Sequence, residues 1–273
     1  MTPRPIKEIA GAALAMLALA LAAAPAGAAG QAETATAAAP PATSRTASLS
    51  TTARRHVCDA TAVIGRMAAD TGLAAVLRQA QGLFVVPNYK RAALGVGARG
   101  GTGVLLVKQS GNWSDPALFT LGGVSAGLQA GVEAGSLALV LNNQNAVERF
   151  RKTSNWSLNA EAGLTVVNWN AMAQGSSGRG DVVAWSDTKG LLGDVAVGIT
   201  DIHFNQAQTN AYYGKAVTLA DILAGSAHVD APEVALLRQA ASTVSADTAT
   251  GSSGTSGTSA AAGGPAASTA CNK

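Results

Sequence analysis

The chain is poor in the residues that usually carry chemistry. Its 273 residues include two cysteines and three histidines, too few and too scattered for a zinc site. No metal and no other cofactor is expected. Aromatic residues make up 4%, which leaves no stacking platform for single-stranded nucleic acid, so no nucleic-acid partner is expected either. Charged residues make up 13%. No H-E-x-x-H, calcium-loop or paired-carboxylate pattern occurs. The longest apolar run, residues 9–24, is too short and alanine-rich for a convincing membrane anchor.

That run has the marks of a leader. Arg4 and Lys7 precede it, and Ala26-Gly27-Ala28 follows as a small-x-small cleavage site. Residues 1–28 therefore read as a secretory signal. It sends the mature protein through the Sec pathway to an oxidising compartment, the periplasm in a Gram-negative host, where it sits peripheral to a membrane. Residues 29–50 are rich in Ala, Thr and Pro and read as a linker. Residues 246–273 are a Gly/Ser/Thr/Ala tail expected to be disordered. The remainder, 51–245, has the size of one domain. Cys58 and Cys271 either form a disulfide that ties the tail to the first helix or remain a buried thiol and an incidental one; spacing does not choose between them.

Glycine is abundant, with 31 residues, and much of it alternates. In Ala117–Leu141 one face carries Val124, Ala126, Leu128, Ala130 and Val132, while the other carries Gly123, Ser125, Gly127, Gly131 and Gly135. Period two means strand. A glycine-lined face gives up packing, so something must approach it closely or the sheet must bend there. Residues 93–107 repeat the pattern, with a bend expected at Gly100-Gly101 and a turn at Ser110-Gly111-Asn112.

Around these strands the periodicity predicts helices over 56–80, broken near Asp70-Thr71-Gly72, and over 145–151, 218–223 and 232–243. Leu83–Val86 reads as a buried strand stopped by Pro87. Further strands are expected over 157–169 and 181–202, with a loop at 205–210. Helices, then antiparallel-looking strands, then helices make an α+β fold: a curved antiparallel sheet or small β-barrel of glycine-rich strands covered by N- and C-terminal helices.

Motifs with catalytic associations fail on context. Gly95-Val96-Gly97-Ala98-Arg99-Gly100 has the G-x-G-x-x-G spacing, yet a strand follows where a dinucleotide fold needs a helix. Gly123-Val124-Ser125-Ala126-Gly127 has the nucleophile-elbow spacing, with Asp201 and His203 following in hydrolase order. A secreted serine esterase using Ser125, Asp201 and His203 is thus one alternative, but an elbow also needs a helix directly after the serine. Ser186-Asp187-Thr188-Lys189 lacks the partner motifs of a penicillin-binding fold. No catalytic residue is assigned.

Charge is distributed unevenly. The net charge is +3, but residues 54–108 hold eight basic residues against Asp59 and Asp70 alone. Such a segment suits an anionic partner. Arg54, Arg55 and Arg66 flank Val57, Val63, Ile64 and Met67, a stripe that suits either interfacial docking or core packing.

In order along the chain, Leu83-Phe84-Val85-Val86-Pro87, Arg91-Ala92-Ala93-Leu94-Gly95-Val96-Gly97, Gly103-Val104-Leu105-Leu106-Val107 and Trp113-Ser114-Asp115-Pro116-Ala117 resemble the SYLF lipid-binding domain family. Gly127-Leu128-Gln129-Ala130-Gly131, Lys189-Gly190-Leu191-Leu192-Gly193, Tyr212-Tyr213-Gly214 and Ala220-Asp221-Ile222-Leu223 continue the match over residues 57–225. Arg91 stands where lysine is usual, and Ala93 replaces a glycine. The resemblance implies a non-enzymatic protein that binds phosphoinositide-like anionic phospholipid at a membrane surface. Fungal relatives also bind actin, a partner not expected for a bacterial protein of the cell envelope. The residues assigned to the membrane are Arg54, Arg55, Arg66, Lys90 and Arg91, with Arg149, Arg151 and Lys152 as a secondary basic site. A structural envelope protein acting through protein contacts is the other alternative.

Overall fold

The computed structural model describes residues 41–70, 72–152, 156–158, 165–169, 180–188, 199–246 and Cys271. Helix α1 spans Ala42–Ala69. Its apolar residues Ala53, Val57, Ala60, Ile64 and Met67 recur every three or four positions and are all fully buried. The helix starts earlier than expected, inside the 29–50 linker. Residues 41–48 are exposed, so packing does not hold that extension. It is carried by alanine-rich helix propensity, with Ser44 and Thr46 hydroxyls donating to carbonyls of the preceding turn.

A short helix, α2 (Ala74–Gln79), leads into two very long strands, β1 (Gly82–Gln109) and β3 (Ala117–Leu141), with β2 (Asn112–Trp113) between them. Then come α3 (Gln144–Arg151), β4 (Trp156–Leu158), β5 (Val166–Asn168), β6 (Val182–Ser186) and β7 (Ile199–Phe204). The chain closes with α4 (Gln206–Tyr213), α5 (Leu219–Leu223) and α6 (Pro232–Ser245).

β1 and β3 pair antiparallel from Gly82↔Leu141 to Leu105↔Ala117. β7 pairs with β3 at Phe119–Gly122 and β6 with β3 at Leu137–Leu141, so the two neighbours occupy opposite ends of β3. Among the described residues the middle of β3 therefore pairs with β1 alone, and the two form a ribbon. Among the described residues the sheet is open rather than a closed barrel, because no ladder joins β2 and β5, the ends of its order. It is also mixed: β5 runs parallel to β6. The expectation of helices over a curved sheet holds; the barrel and the purely antiparallel pairing do not.

The ribbon curls back on itself, and the reason lies on one face. Gly101 and Gly103 share that face with Phe84 and Val86. A Cβ on Gly103 would lie 2.2 Å from the Phe84 ring, and one on Gly101 would lie 2.7 Å from Val86 Cγ1. Missing side chains let the far end of β1 close onto its own beginning. Inside the curl Phe84, Phe119 and Phe150 pack at centroid distances of 4.9–6.0 Å, with Phe204 against Phe119 at 5.6 Å. We expect Gly103→Ala to cost about 1–3 kcal/mol through overpacking against a locked ring. Gly131→Ala, with nothing within 4 Å of its Cβ, should change stability little. Urea unfolding of the two variants checks the contrast.

Two local expectations change. Pro87 does not stop the strand; β1 runs through it with a register shift between Val86 and Tyr89, the irregularity at which a sheet tolerates a residue without an N–H. The 205–210 segment is helical rather than a loop. Asn205 accepts from the Gln208 N–H at 3.0 Å as N-cap of α4, and Gly214 ends that helix at φ 66°. The 157–169 and 181–202 segments resolve into short strands, while 159–164 and 189–198 lie outside the described residues.

The undecided cysteines are joined. Cys58 and Cys271 form a disulfide with Cα atoms 5.6 Å apart, closing a sequence separation of 213 residues.

Candidate functional site

The apolar stripe of α1 is core. Val57, Val63, Ile64 and Met67 are at most 1% exposed, so they do not form an interfacial face. The flanking cations part company as a result. Arg54, still half exposed, meets the buried Glu233 of α6 at 3.2 Å, a carboxylate that also accepts from the Tyr212 hydroxyl. Burial, followed by the Glu233 charge, pushes the Tyr212 phenol far above its usual range. Arg55 stays exposed. His56 beside it is held below the ordinary histidine range by burial, opposed by Asp59 and reinforced by Arg55.

Arg66 sits at the last turn of α1, where a cation complements the helix dipole. It donates to Ser136 Oγ at 2.8 Å and to Asp187 at 3.3 Å, bracing the helix against β3 and the end of β6. Ser136 donates in turn to the Pro87 carbonyl at 3.0 Å, holding the irregular stretch of β1 beside the helix. A groove of about 320 Å³ opens here, lined by Asp59 and Arg66 from α1, Asn88 and Lys90 from β1, and Ser136 from β3. Asn88 donates to Asp59 at 3.0 Å. Arg55 lies one helical turn before Asp59, on the stripe that faces the groove.

Two of the five assigned cations, Arg66 and Lys90, thus line one groove together with Asp59, and Asp187 pairs with Arg66 beside it. Arg54 and Arg91 do not join them. Arg91 lies on the opposite face of β1 from Lys90, with its guanidinium 3.7 Å from Glu133. The secondary set occupies the end of α3: Arg149 and Arg151 fall in its last turn, Lys152 is its C-cap, and Arg151 meets Glu148 at 3.1 Å. Their position at a helix C-terminus has its own structural reason.

The hydrolase alternative has no support in the geometry. β3 passes through Ser125 without a break and pairs it with Gly97, while Asp201 pairs with Gly122, three residues earlier. Asp201 and His203 meet each other at 3.1 Å on β7. Among the described residues no cluster of His, Cys, Asp or Glu is placed to hold a metal, and no helix is long and apolar enough to cross a membrane.

One feature escaped the sequence reading. The unshared middle of the ribbon presents Leu94, Val96, Val124 and Val132 to solvent at 85%, 72%, 77% and 81% exposure. The signal was present in the alternation of Ala117–Leu141, whose glycine face drew attention away from its apolar one.

Residues 122–244 match the Ysc84 family, described as "Las17-binding protein actin regulator". This segment belongs to the Ysc84, or SYLF, family. The chain is 30% identical over 156 residues to LAS seventeen-binding protein 3 of Saccharomyces cerevisiae, covering 55% of this chain and 34% of the relative. It is 31% identical over 169 residues to yeast Protein YSC84, covering 60% and 36%. It is 27% identical over 154 residues to SH3 domain-containing YSC84-like protein 1 of Rattus norvegicus, covering 55% and 45%. The chain therefore spans less than half the length of these relatives. No solved structure matches it. The family match covers the part of the resemblance carried by Gly127-Leu128-Gln129-Ala130-Gly131, Lys189-Gly190-Leu191-Leu192-Gly193, Tyr212-Tyr213-Gly214 and Ala220-Asp221-Ile222-Leu223.

Proposed function

We propose that this SYLF protein binds anionic phospholipid at a membrane surface, peripherally and without catalysis. The observation that carries the reading is the convergence of Arg66 and Lys90 on the groove between α1 and the ribbon, with Arg55 exposed on the same stripe of α1. Arg66 is held in place by Ser136 and Asp187, whereas Arg55 and Lys90 extend into solvent and are free to follow phosphates. The leader-like N-terminus and the Cys58–Cys271 disulfide favour an oxidising envelope compartment. One relative is named for LAS seventeen binding and the family's description speaks of Las17 binding and actin regulation, and neither partner is assigned to this chain.

The test is co-sedimentation with vesicles of phosphatidylglycerol and phosphatidylcholine, compared with phosphatidylcholine alone. Binding should require the anionic lipid and weaken as salt rises. Each cation near such a surface contributes about 1 kcal/mol, so the Arg55→Glu/Lys90→Glu double variant should bind about 30-fold more weakly or worse. Equal binding by the double variant, or loss of headgroup preference, would refute the assignment.

A further inference from the structure

We propose that the apex of the β1–β3 ribbon is a wedge that enters the acyl region of a bilayer; this rests on the lipid-surface reading above and deepens it. The ribbon is turned inside out at its middle. Pairing puts Lys90, Ala92, Leu94, Val96 and Ala98 of β1 on one face, opposite Ala134, Val132 and Val124 of β3. The charged pair Arg91–Glu133 lies on the other face. A water-soluble ribbon with one covered side has the reverse arrangement, apolar in and charged out.

The apolar face is also the outside of the curl. Gly101 and Gly103 sit against Val86 and Phe84 on the inner face, so the strand bends toward that side and Leu94, Val96, Val124 and Val132 crown the convex one. Convexity selects the occupant. Two copies of a convex face touch only along a narrow line, whereas a bilayer yields around a protruding ridge.

Charge makes the same choice. Among the described residues of this face from 90 to 98 and 122 to 134, the one charged side chain is Lys90, and no acid is present. The acids at the two ends of this face have partners: Asp59, which lines the groove with Lys90, accepts from Asn88 at 3.0 Å, and Asp201, opposite Gly122, is met by His203 at 3.1 Å. Lys90 stands at the base of the apolar face and also lines the groove beside Arg66. Leu94 lies four residue steps further along the strand, about 13 Å away. A cation at phosphate level therefore leaves the apex beyond the headgroup layer. Lys90 reaches the phosphates while its stem follows the apolar surface.

The experiment uses the full chain with a tryptophan reporter, Leu94→Trp, and a charged pair, Leu94→Asp/Val132→Asp, both at exposed positions that should leave folding intact. The vesicles contain phosphatidylglycerol and phosphatidylcholine with or without brominated acyl chains. Insertion gives a blue-shifted emission for Leu94→Trp that brominated chains quench, and it weakens the charged pair's binding by about 100-fold. Sedimentation with an unshifted, unquenched reporter overturns the wedge and leaves the headgroup site standing. A quenched reporter with equal binding to pure phosphatidylcholine vesicles supports the wedge and overturns the anionic-headgroup reading. Binding to neither vesicle overturns both. Concentration-dependent dimerisation abolished by Leu94→Asp/Val132→Asp assigns the face to a second copy and overturns the wedge.

Discussion

Reduction of the Cys58–Cys271 disulfide is expected to lower the unfolding free energy by about 2–5 kcal/mol. The bridge spans a separation of 213 residues, nearly the whole folded chain. In the chain-entropy account a cross-link that long removes more freedom from the unfolded state than a short one would, which places the effect toward the upper end of the usual range. Urea unfolding with and without dithiothreitol measures it. The Cys58→Ser/Cys271→Ser variant should match the reduced protein and show no further response to reductant. Equal midpoints for oxidised and reduced protein would show that the bridge adds no stability.

Asp115→Ala is expected to cost about 2–4 kcal/mol, from the loss of charge-assisted hydrogen bonds worth about 1.5–3 kcal/mol each, offset in part by no longer burying a carboxylate. The Asp115 side chain is 1% exposed and accepts from Arg238 at 3.0 Å and from the Val229 N–H at 2.9 Å, with His228 at 3.4 Å. It fastens the segment entering β3 to α6 and to the loop before it. Next to it, Tyr213 donates to the Pro116 carbonyl at 3.1 Å, and burial raises that phenol far above its usual range. Asp115→Asn keeps one acceptor and should cost less. A shift in the urea midpoint with an unchanged slope would show lost stability without a change in fold. Vesicle binding by the surviving folded protein should be unaffected, because Asp115 is not among the residues lining the Arg66–Lys90 groove.

The local elements were legible because their causes are local. Val57, Ala60, Ile64 and Met67 announce one helical face, and the alternation in Ala117–Leu141 announces a strand. Asn205 was misread because an amide-rich stretch suits a loop as well as a capped helix; the cap shows only when its side chain accepts from Gln208. Pro87 was misread for a related reason. Proline disfavours a regular ladder, but an irregular one beside Ser136 can keep it.

The candidate site was half legible. Basic excess drew attention to residues 54–108, and of the cations there Arg66 and Lys90 share a groove. Arg54 and Arg91 could not be told from them, since a cation that lines an open groove and one that pairs with Glu233 or Glu133 look alike until the acid's place is known. Those acids lie far along the chain from Arg54 and across a long ladder from Arg91.

By itself, then, the sequence determined the glycine-alternating strands, the amphipathic α1, the uneven charge and the SYLF resemblance, because each is written in neighbouring residues. Only the tertiary structure decided which face of the ribbon is inside. The curl that brings Gly103 onto Phe84 puts the small residues on the concave side and leaves Leu94, Val96, Val124 and Val132 outside. That outcome depends on β6 and β7 taking opposite ends of β3, so that among the described residues its middle pairs with β1 alone, a matter of long-range pairing that no local pattern records.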